Sequence, residues 1–403
     1  YPKSKIKILL LERIHDEARR ILSDSGYDVE TIDRALTDEE LLAKLADVHV
    51  LGVRSKTQVN KAHLEVGKKL LGVGCFSVGT NNVDLSAARE LGIPVLNAPY
   101  GNTRSVAELT ISNILSLSRQ IAHKSLLMHQ GVWQKSAEGS FEVRDKTLGI
   151  IGYGNIGQQV SVLAEAFGMH VVFHDSVKKL PLGNSKQLNS LEEVLQRSDF
   201  VTLHIPPLAK TKALLGAKEI SQMKQGSFLL NAARGSLVDI PALCEALKAN
   251  HIAGAAVDVF PDEPKSNDDP FISPLIDCEN VILTPHVGGS TEEAQLNIGL
   301  EVSSAFVKLI DNGSTVGAVN FPQLDLPVDA DSHRILNIHR NEPGVLSDVN
   351  RIISELGANV NGQYLGTYEN VGYLIVDIGV DVSDAVKRAL SALPSNIKTR
   401  ILY

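Results

Sequence analysis

Cysteine, tryptophan and long apolar runs are scarce in this sequence, and each scarcity argues against a class of protein. The 403 residues contain three cysteines, none of them in a Cys-x-x-Cys pair, so we expect reduced thiols rather than a disulfide framework. No apolar run approaches the roughly 20 residues that a membrane-spanning helix requires. A His-Glu-x-x-His motif is also missing, and we expect no metal site, no membrane association and a cytoplasmic location.

Positive charge is in deficit as well. The formal net charge is −8 at pH 7, which argues against a nucleic-acid-binding surface but permits a local basic patch for an anionic metabolite. The chain is 43% hydrophobic and 21% charged, proportions that are typical of a globular protein. Its length of 403 residues predicts two to three domains.

Alternating strand and helix patterns occupy most of the chain. The alternation predicts an α/β fold with two doubly wound parallel sheets, in which ligands bind beyond the carboxyl ends of the strands. Thr37 and Glu40 form a capping-box pattern at the start of one predicted helix. Ser105 and Glu108 form a second such pattern, at the start of a long helix that is expected to run to about Met128.

One segment has the pattern of a dinucleotide-binding βαβ unit. A strand pattern leads into Gly152-Tyr153-Gly154-Asn155-Ile156-Gly157, and a helix pattern follows. Gly152 suits a tight turn, Gly154 has no Cβ to obstruct a pyrophosphate, and Gly157 allows close packing of the helix on the strand. Asp175, 18 residues after Gly157, is spaced to bind ribose hydroxyls and to repel a 2′-phosphate, so NAD is favoured over NADP. The alternative is an ordinary strand-helix-strand unit that binds no nucleotide.

Three later strands end in residues that together fit the oxidation of a 2-hydroxy acid. This reaction requires a base for the hydroxyl proton, a carboxylate that orients the base, and a cation for the substrate carboxylate. We assign these roles to His286, Glu263 and Arg234, and expect Asp258 to accept a hydrogen bond from the nicotinamide amide. Taken singly, each residue also fits a turn or a surface position. Their occurrence together beyond predicted strand ends favours catalysis.

Two loops of the first α/β region carry groups that bind anions. One is residues 54–57, Arg-Ser-Lys-Thr, and the other is residues 75–81, which offer backbone amides and hydroxyls. They are expected to hold a small carboxylate or phosphate, with Lys135 as a candidate third cation. The alternative is a pair of solvated loops with ordinary surface charges. Trp133 is expected to be a packing residue, and Cys75 is a candidate to line a pocket.

The sequence resembles the D-isomer-specific 2-hydroxyacid dehydrogenases over essentially its whole length. The segments that carry the resemblance are residues 152–157, 231–235, 258–264 and 284–289. It implies an NAD-dependent enzyme with Arg234, Glu263 and His286 in catalysis. The residues that it implies around NAD are Gly152, Gly154, Asn155, Ile156, Gly157, Asp175, His204, Ala232, Asp258, Gly288 and Gly289.

Residues 54–57, 102–105 and 133–135 are similar to the members that oxidise D-3-phosphoglycerate to 3-phosphohydroxypyruvate, the first step of serine biosynthesis. The substrate-binding residues implied by this similarity are Arg54, Ser55, Lys56, Ser77, Gly79, Asn102 and Lys135. Lys56 departs from the pattern because arginine is common there in relatives, so the charge is kept and the bidentate fork is lost. Two alternatives are open: a dehydrogenase for another D-2-hydroxy acid such as 2-hydroxyglutarate, and a non-catalytic NAD(H)-sensing co-repressor of the same fold.

The C-terminal segment has a pattern of its own. Its strand and helix signals follow the order βαββαβ, which is typical of a ferredoxin-like domain. Residues 339–346 resemble the opening loop of ACT domains, which bind amino acids between paired copies. The resemblance implies a homo-oligomer, and specifically a tetramer. It also implies that L-serine is an effector, bound by His339, Asn341 and Asn359. The alternative is a domain that serves only for subunit contacts. The expected domains are a discontinuous substrate-binding domain (1–101 and 289–329), an NAD-binding domain (102–288) and an ACT domain (330–403).

Overall fold

The computed structural model describes residues 2–206, 211–264, 266–327, 331–379 and 382–402. The chain divides into two compact units, one formed by Tyr1–Gly101 with Gln295–Tyr403 and the other by Asn102–Ala294. The division into three domains stays a prediction, and its boundary at residues 329 and 330 lies outside the described residues. Among the helices of the described ranges, none combines the length and the apolar character that a bilayer crossing requires.

The first unit contains a five-stranded parallel sheet with the strand order β2-β1-β3-β4-β5. Its strands are β1 (Lys7–Leu11), β2 (Asp28–Ile32), β3 (Val50–Val53), β4 (Gly72–Cys75) and β5 (Val95–Leu96). Its connecting helices are α1 (Asp16–Asp24), α2 (Asp38–Leu45), α3 (Lys61–Val66) and α4 (Leu85–Glu90). The capping box predicted at the start of α2 is confirmed, since Thr37 and Glu40 each accept a hydrogen bond from the other's amide.

The second unit contains a seven-stranded parallel sheet with the order β12-β11-β10-β9-β6-β7-β8. Its strands are β6 (Thr147–Ile151), β7 (His170–His174), β8 (Lys186–Gln187), β9 (Phe200–Leu203), β10 (Ser227–Asn231), β11 (Ile252–Val257) and β12 (Val281–Leu283). Its helices are α5 (Thr103–Arg119), α6 (Ile121–His129), α7 (Asn155–Ala166), α8 (Leu191–Arg197), α9 (Ala217–Gln222) and α10 (Ile240–Lys248). The strand order reverses between β6 and β9, which is the position where parallel α/β sheets bind ligands.

The expectations for the long helix of this unit are wrong in two respects. Helix α5 begins two residues before Ser105, so Ser105 and Glu108 lie inside it and form no capping box. Ser105 instead shares a hydrogen bond with Thr291, and Glu108 pairs with Arg104. The helix also ends at Arg119, because the next residue, Gln120, has a left-handed backbone (φ 55°), and α6 follows as a separate helix.

The remainder of the chain confirms the βαββαβ prediction. Helix α11 (Glu292–Asn312) leads back to the first unit, where a four-stranded antiparallel sheet has the order β14-β15-β13-β16. The elements of this ferredoxin-like region are β13 (His333–Arg340), α12 (Val345–Glu355), β14 (Val360–Tyr368), β15 (Val371–Ile378), α13 (Ser383–Ser391) and β16 (Asn396–Leu402). Together with the two parallel sheets, this region confirms the predicted fold class.

A buried ion pair fixes the ferredoxin-like region from within. Arg334 on β13 and Asp377 on β15 make two hydrogen bonds of 2.7 Å each, with side chains only 6% and 5% exposed. The same guanidinium donates to the carbonyl oxygens of Asn312 at the end of α11 and of Leu326. Because a planar guanidinium satisfies several acceptors at once, this single side chain joins two strands to the segment that precedes them.

Candidate active site

The glycine turn between β6 and α7 has one open side. Gly152 has φ 93°, a conformation that favours glycine, and a Cβ there would lie 2.5 Å from the carbonyl oxygen of His204. A Cβ at Gly157 would collide with the carbonyl oxygen of Gly152, so α7 packs closely on the turn. Apart from Gly154 itself and the residues adjacent to it in the chain, the described residues place no atom within 4 Å of the position that a Cβ of Gly154 would occupy. The turn therefore has space for a pyrophosphate at Gly154, in front of the first residues of α7, Asn155 and Ile156.

Asp175 lies directly beyond β7 and beside this turn. Its carboxylate accepts hydrogen bonds from the backbone amides of Tyr153, at 2.9 Å, and Val177, at 3.2 Å. Each carboxylate oxygen has a second lone pair, so the group can still accept from ribose hydroxyls. The site thus combines a phosphate-sized opening with an acid at the next strand end, which fits an adenine dinucleotide.

His204 lies directly beyond β9, the neighbour of β6 on the other side. Its Nε2 is 3.0 Å from the hydroxyl of Thr202, and the residue is only partly exposed. This desolvation lowers the pKa of His204 to about 3. The ring is therefore neutral at physiological pH and offers hydrogen bonds without a charge.

His286 and Glu263 form a hydrogen-bonded pair beyond the ends of β12 and β11. His286 Nδ1 lies 2.8 Å from Glu263 Oε2, and the side chains are 49% and 35% exposed. The hydrogen bond and the charge of Glu263 raise the pKa of His286 against the opposing effect of burial. Burial alone raises the pKa of Glu263, but hydrogen bonds from His286 and the Phe260 amide outweigh it and lower that pKa. His286 also has a left-handed backbone (φ 54°), a strain that clusters at functional sites.

Arg234 lies on the loop that follows β10, the strand next to β11. A Cβ on Gly235 would collide with the backbone of Phe260, so the Arg234 loop packs directly on the segment that leads to Glu263. The side chain of Asn231 holds the loop, donating to the Arg234 carbonyl oxygen at 2.9 Å and accepting from the amide of Ala233 at 3.1 Å. Ala232 is part of this loop. Burial lowers the pKa of Arg234 and the charge of Glu263 opposes that change.

Asp258 shapes the loop that carries His286. The residue is 1% exposed, and its carboxylate accepts from the Thr284 hydroxyl at 2.6 Å and from the amides of Val287 and Gly288 at 2.9 Å each. This organising contact was not foreseen from the sequence. The expected hydrogen bond from Asp258 to a nicotinamide amide stays a prediction.

Asn102 borders the same loop. A Cβ on Gly289 would lie 2.7 Å from Asn102 Nδ2, so the two residues are in close contact. Asn102 Oδ1 is buried and has no hydrogen-bond partner among the described residues. Because an unsatisfied buried acceptor is unfavourable, a ligand with a donor group would be stabilised here.

In the first unit, the expected substrate loops lie at the ends of β3 and β4. Arg54 is half-buried, while Ser55 and Lys56 are exposed. Ser77 donates a hydrogen bond of 2.6 Å to the carbonyl oxygen of Gly79, which fixes the second loop. Two residues that sequence patterns did not indicate hold the first loop: Glu12, which follows β1, and Asn82, which follows β4.

Two minor expectations are wrong. Trp133 is 77% exposed and is no packing residue of this chain, and Lys135 beside it is also exposed. Cys75 is fully buried in the core of the first sheet and lines no pocket, and burial raises the pKa of its thiol to about 12.

The expected effector residues do not come together within one chain. Asn341 precedes α12 and Asn359 follows it, and an eleven-residue helix spans about 16 Å. Asn341 Nδ2 donates to the Glu369 carbonyl oxygen at 3.2 Å, and Asn359 Nδ2 donates to Asn361 Oδ1 at 3.0 Å. His339 is 3% exposed, bonds Asn337, and has a pKa lowered by burial.

Two family models match the sequence. Residues 111–288 match the NAD-binding domain of the D-isomer-specific 2-hydroxyacid dehydrogenases, and residues 335–398 match the ACT domain of the AHAS small-subunit type. The first match contains the glycine turn and the three residues Arg234, Glu263 and His286. The second coincides with the ferredoxin-like region.

Full-length relatives and solved structures agree with these matches. A D-3-phosphoglycerate dehydrogenase of Dictyostelium discoideum is 51% identical over 403 residues, which is all of this chain and 98% of that protein. The D-3-phosphoglycerate dehydrogenase of Escherichia coli strain K12 is 51% identical over 404 residues, with the same coverage of both chains. The D-lactate dehydrogenase of Aquifex aeolicus, solved with NAD and lactic acid, is 27% identical with a TM-score of 0.67, over 75% of this chain and 95% of that one.

Proposed function

The chain belongs to the D-isomer-specific 2-hydroxyacid dehydrogenase family, with an NAD-binding domain and an ACT domain, and we propose that it oxidises D-3-phosphoglycerate to 3-phosphohydroxypyruvate with NAD. The observation that carries the chemistry is the His286–Glu263 pair at 2.8 Å beyond the strand ends of that domain. The substrate follows from the two full-length relatives named for it, each 51% identical to this chain.

In the proposed oxidation, His286 takes the proton of the substrate hydroxyl at Nε2, because Nδ1 is engaged by Glu263. Glu263 keeps the imidazole oriented and stabilises the imidazolium that results. In the reverse direction the same imidazolium returns the proton to the keto oxygen. Arg234 holds the substrate carboxylate by bidentate hydrogen bonds.

NAD, when bound, supplies the hydride acceptor. Gly154 and the first residues of α7 would hold its pyrophosphate, and Asp175 would hold its adenosine ribose. The remaining proposed cofactor residues are Gly152, Asn155, Ile156, Gly157, His204, Ala232, Asp258, Gly288 and Gly289. The open space at Gly154 supports this assignment, since a side chain there would occupy the phosphate position.

Substrate selection is proposed to depend on charge. Arg54 and Lys56 suit a phosphate because they bring two positive charges to one loop. Ser55, Ser77, Gly79, Asn102 and Lys135 complete the proposed set. The same charges would suit the second carboxylate of 2-hydroxyglutarate, so this compound is the strongest competing substrate.

The test is NADH formation by the wild-type protein with D-3-phosphoglycerate and, separately, with D-2-hydroxyglutarate. We expect a higher kcat/KM with D-3-phosphoglycerate than with D-2-hydroxyglutarate, and a loss of activity in His286→Asn. Activity with 2-hydroxyglutarate alone would replace the substrate assignment. A protein that binds NADH but turns over neither compound would favour the co-repressor alternative.

Assembly and regulation form the second part of the proposal. Helix α6 buries none of its residues within this chain and, with the segment after it, exposes Ile121, Leu126, Met128 and Trp133. The edge strand β14 is also exposed along its length. These surfaces support a homo-oligomer, which is proposed to be a tetramer. The proposed location is the cytoplasm.

L-Serine is the proposed effector, bound between two ACT domains. A site formed by Asn341 of one copy and Asn359 of another avoids the separation that α12 imposes within one chain. His339, which is buried on β13 two residues before Asn341, is the third proposed effector residue. Light scattering measures the oligomer, and serine is expected to lower activity and raise the melting temperature. If serine changes neither quantity in a tetrameric sample, the effector assignment is wrong.

A further inference from the structure

Glu12 is a buried carboxylate directly beyond the end of β1. It is 8% exposed, and its carboxylate accepts three backbone N–H groups from the loop that follows β3. The distances are 3.4 Å from the Arg54 amide and 2.8 Å from the Thr57 amide, both to Oε1, and 2.9 Å from the Lys56 amide to Oε2. One side chain therefore fixes the backbone of almost the whole loop, and hydrogen bonds to a charged acceptor are the strong ones.

Asn82 holds the same loop through the opposite set of backbone groups. Its Nδ2 donates to the carbonyl oxygens of Arg54 and Thr57, at 2.8 Å each. With the amides bound by Glu12 and two carbonyls bound by Asn82, the backbone of the loop faces the protein. The side chains of Ser55 and Lys56 are consequently exposed.

The backbone conformation at Glu12 is energetically unfavourable. Glu12 and Arg13 both have left-handed conformations, with φ 66° and 52°. Two successive non-glycine residues in this region are strained, and such strain persists only where surrounding contacts impose it. The contacts here are those between Glu12 and the Arg54 loop.

Glu12 lies at a position in the sheet where ligands of such folds bind. The strand order β2-β1-β3-β4-β5 reverses direction between β1 and β3, and ligands of such sheets bind beyond the strand ends at this reversal. Glu12 follows β1, and the loop that it holds follows β3. A side chain that sets the loop at this position controls where the two cations of the loop are presented.

We infer that Glu12 is a positioning residue for substrate binding: it touches no substrate itself and places Arg54 and Lys56 by fixing the backbone between them. The inference rests on the proposed function, in which these cations bind the substrate phosphate. A specific change in the kinetic constants is therefore expected. Because the phosphate lies away from the reacting carbon, we expect its contacts to be equally strong in the bound substrate and in the transition state, so that their loss raises KM for D-3-phosphoglycerate with little change in kcat.

Glu12→Gln is the test variant because it preserves the shape of the side chain. A glutamine keeps one oxygen for the Arg54 and Thr57 amides, but its NH₂ group then faces the Lys56 amide, so that hydrogen bond is lost. Since a misplacement of about 1 Å in a binding group costs about 100-fold, we expect KM for D-3-phosphoglycerate to rise about 10- to 100-fold. KM for NAD is expected to be unchanged.

Glu40→Gln is the matched control. Glu40 is a carboxylate of the same unit that also accepts a backbone amide, in the capping box of α2, and it belongs to neither proposed site. It is expected to change the melting temperature and leave both KM values as in the wild type. A purely structural role of Glu12 would give the Glu40→Gln pattern instead. If Glu12→Gln does not fold, Asn82→Ala perturbs the same loop and is expected to raise KM for the substrate alone.

A double-mutant cycle identifies the route of the effect. If Glu12 acts through Lys56, then Glu12→Gln has a smaller effect on KM in a Lys56→Ala background than in the wild type. Full additivity of the two changes, or an unchanged KM in Glu12→Gln, overturns the inference. A wild-type protein that does not oxidise D-3-phosphoglycerate overturns the proposed function instead, and that result is read from the wild type before any variant is made.

Discussion

Replacement of Glu263 by glutamine gives the sharpest test of the catalytic pair. Glu263 Oε2 lies 2.8 Å from His286 Nδ1, and glutamine has nearly the same size without the negative charge. The change leaves the imidazole, the Arg234 loop and the glycine turn in place. It removes the main cause of the raised pKa of His286, which is the hydrogen bond and charge of Glu263.

The expected loss of activity is moderate. A hydrogen bond to a charged partner is worth about 1.5 to 3 kcal/mol, and the lower end applies because His286 is half exposed. A loss of about 1.5 kcal/mol from the transition state corresponds to a decrease of about tenfold in kcat/KM. By comparison, His286→Asn removes the proton-transfer group itself, and a decrease of about 100- to 10,000-fold is expected.

The pH dependence distinguishes this explanation from a general loss of structure. Oxidation requires neutral His286, so its rate falls when the pH is below the pKa of His286. Reduction requires protonated His286, so its rate falls when the pH is above that pKa. In Glu263→Gln the pKa of His286 falls, because burial then acts without the opposing carboxylate. The acid limb for oxidation and the alkaline limb for reduction should both move to lower pH.

The assay is the pH profile of kcat/KM in both directions, followed through NADH absorbance. Asp262→Asn is the matched control, because it removes the neighbouring carboxylate and should leave both profiles unchanged. Stability gives a second readout: the folded pKa of His286 is raised above its ordinary value of 6.5. The contribution of the pair to stability is therefore complete below pH 6.5 as long as Glu263 is ionised, and it is lost as pH rises through the folded pKa of His286. Profiles that do not move in Glu263→Gln would refute the proposed coupling.

Three further predictions concern the cofactor site and the ACT region. Gly154→Ala should have an unchanged melting temperature and should bind NADH at least about tenfold more weakly. Gly157→Ala should lower both the melting temperature and the affinity for NADH. Thermal unfolding measures the melting temperature, and fluorescence titration measures the affinity. Asp175→Ala should reduce kcat/KM with NAD by about tenfold and relax the preference over NADP; an unchanged preference would leave its role unsupported. Asp377→Asn should lower the free energy of unfolding by about 3 kcal/mol in urea titration, because Arg334 would remain buried without its carboxylate.

The fold could be predicted largely from local patterns. Periodic apolar residues identified most strands and helices, and the capping box at Thr37 was correct because all of its interactions lie within four residues. The second capping box was wrong because Ser105 finds its partner, Thr291, far along the chain. The break of the long helix at Gln120 could not be predicted either. It depends on a single left-handed residue, and that residue is not a glycine, the type that usually indicates such a conformation.

The proposed catalytic set was accessible from the sequence because Arg234, Glu263 and His286 follow strands of a parallel sheet, whose carboxyl ends lie on one edge. The sequence specified the residue types and their positions after the strands. It did not specify that Gly235 packs on Phe260, or that Asp258 binds the amides of Val287 and Gly288 to shape the histidine loop. These contacts join residues that are distant in the chain, and no local pattern records them.

By itself, then, the sequence determined the two parallel sheets, the glycine turn with its open position at Gly154, and the identity of the pair His286 and Glu263. Each of these depends on spacing within a short segment or on the common direction of parallel strands. Only the tertiary structure decided that Glu12 holds the Arg54 loop across 42 residues and that Asn341 and Asn359 lie at opposite ends of α12. Such relations depend on which strands are neighbours and on how long a helix is in space, and they exist only once the chain has folded.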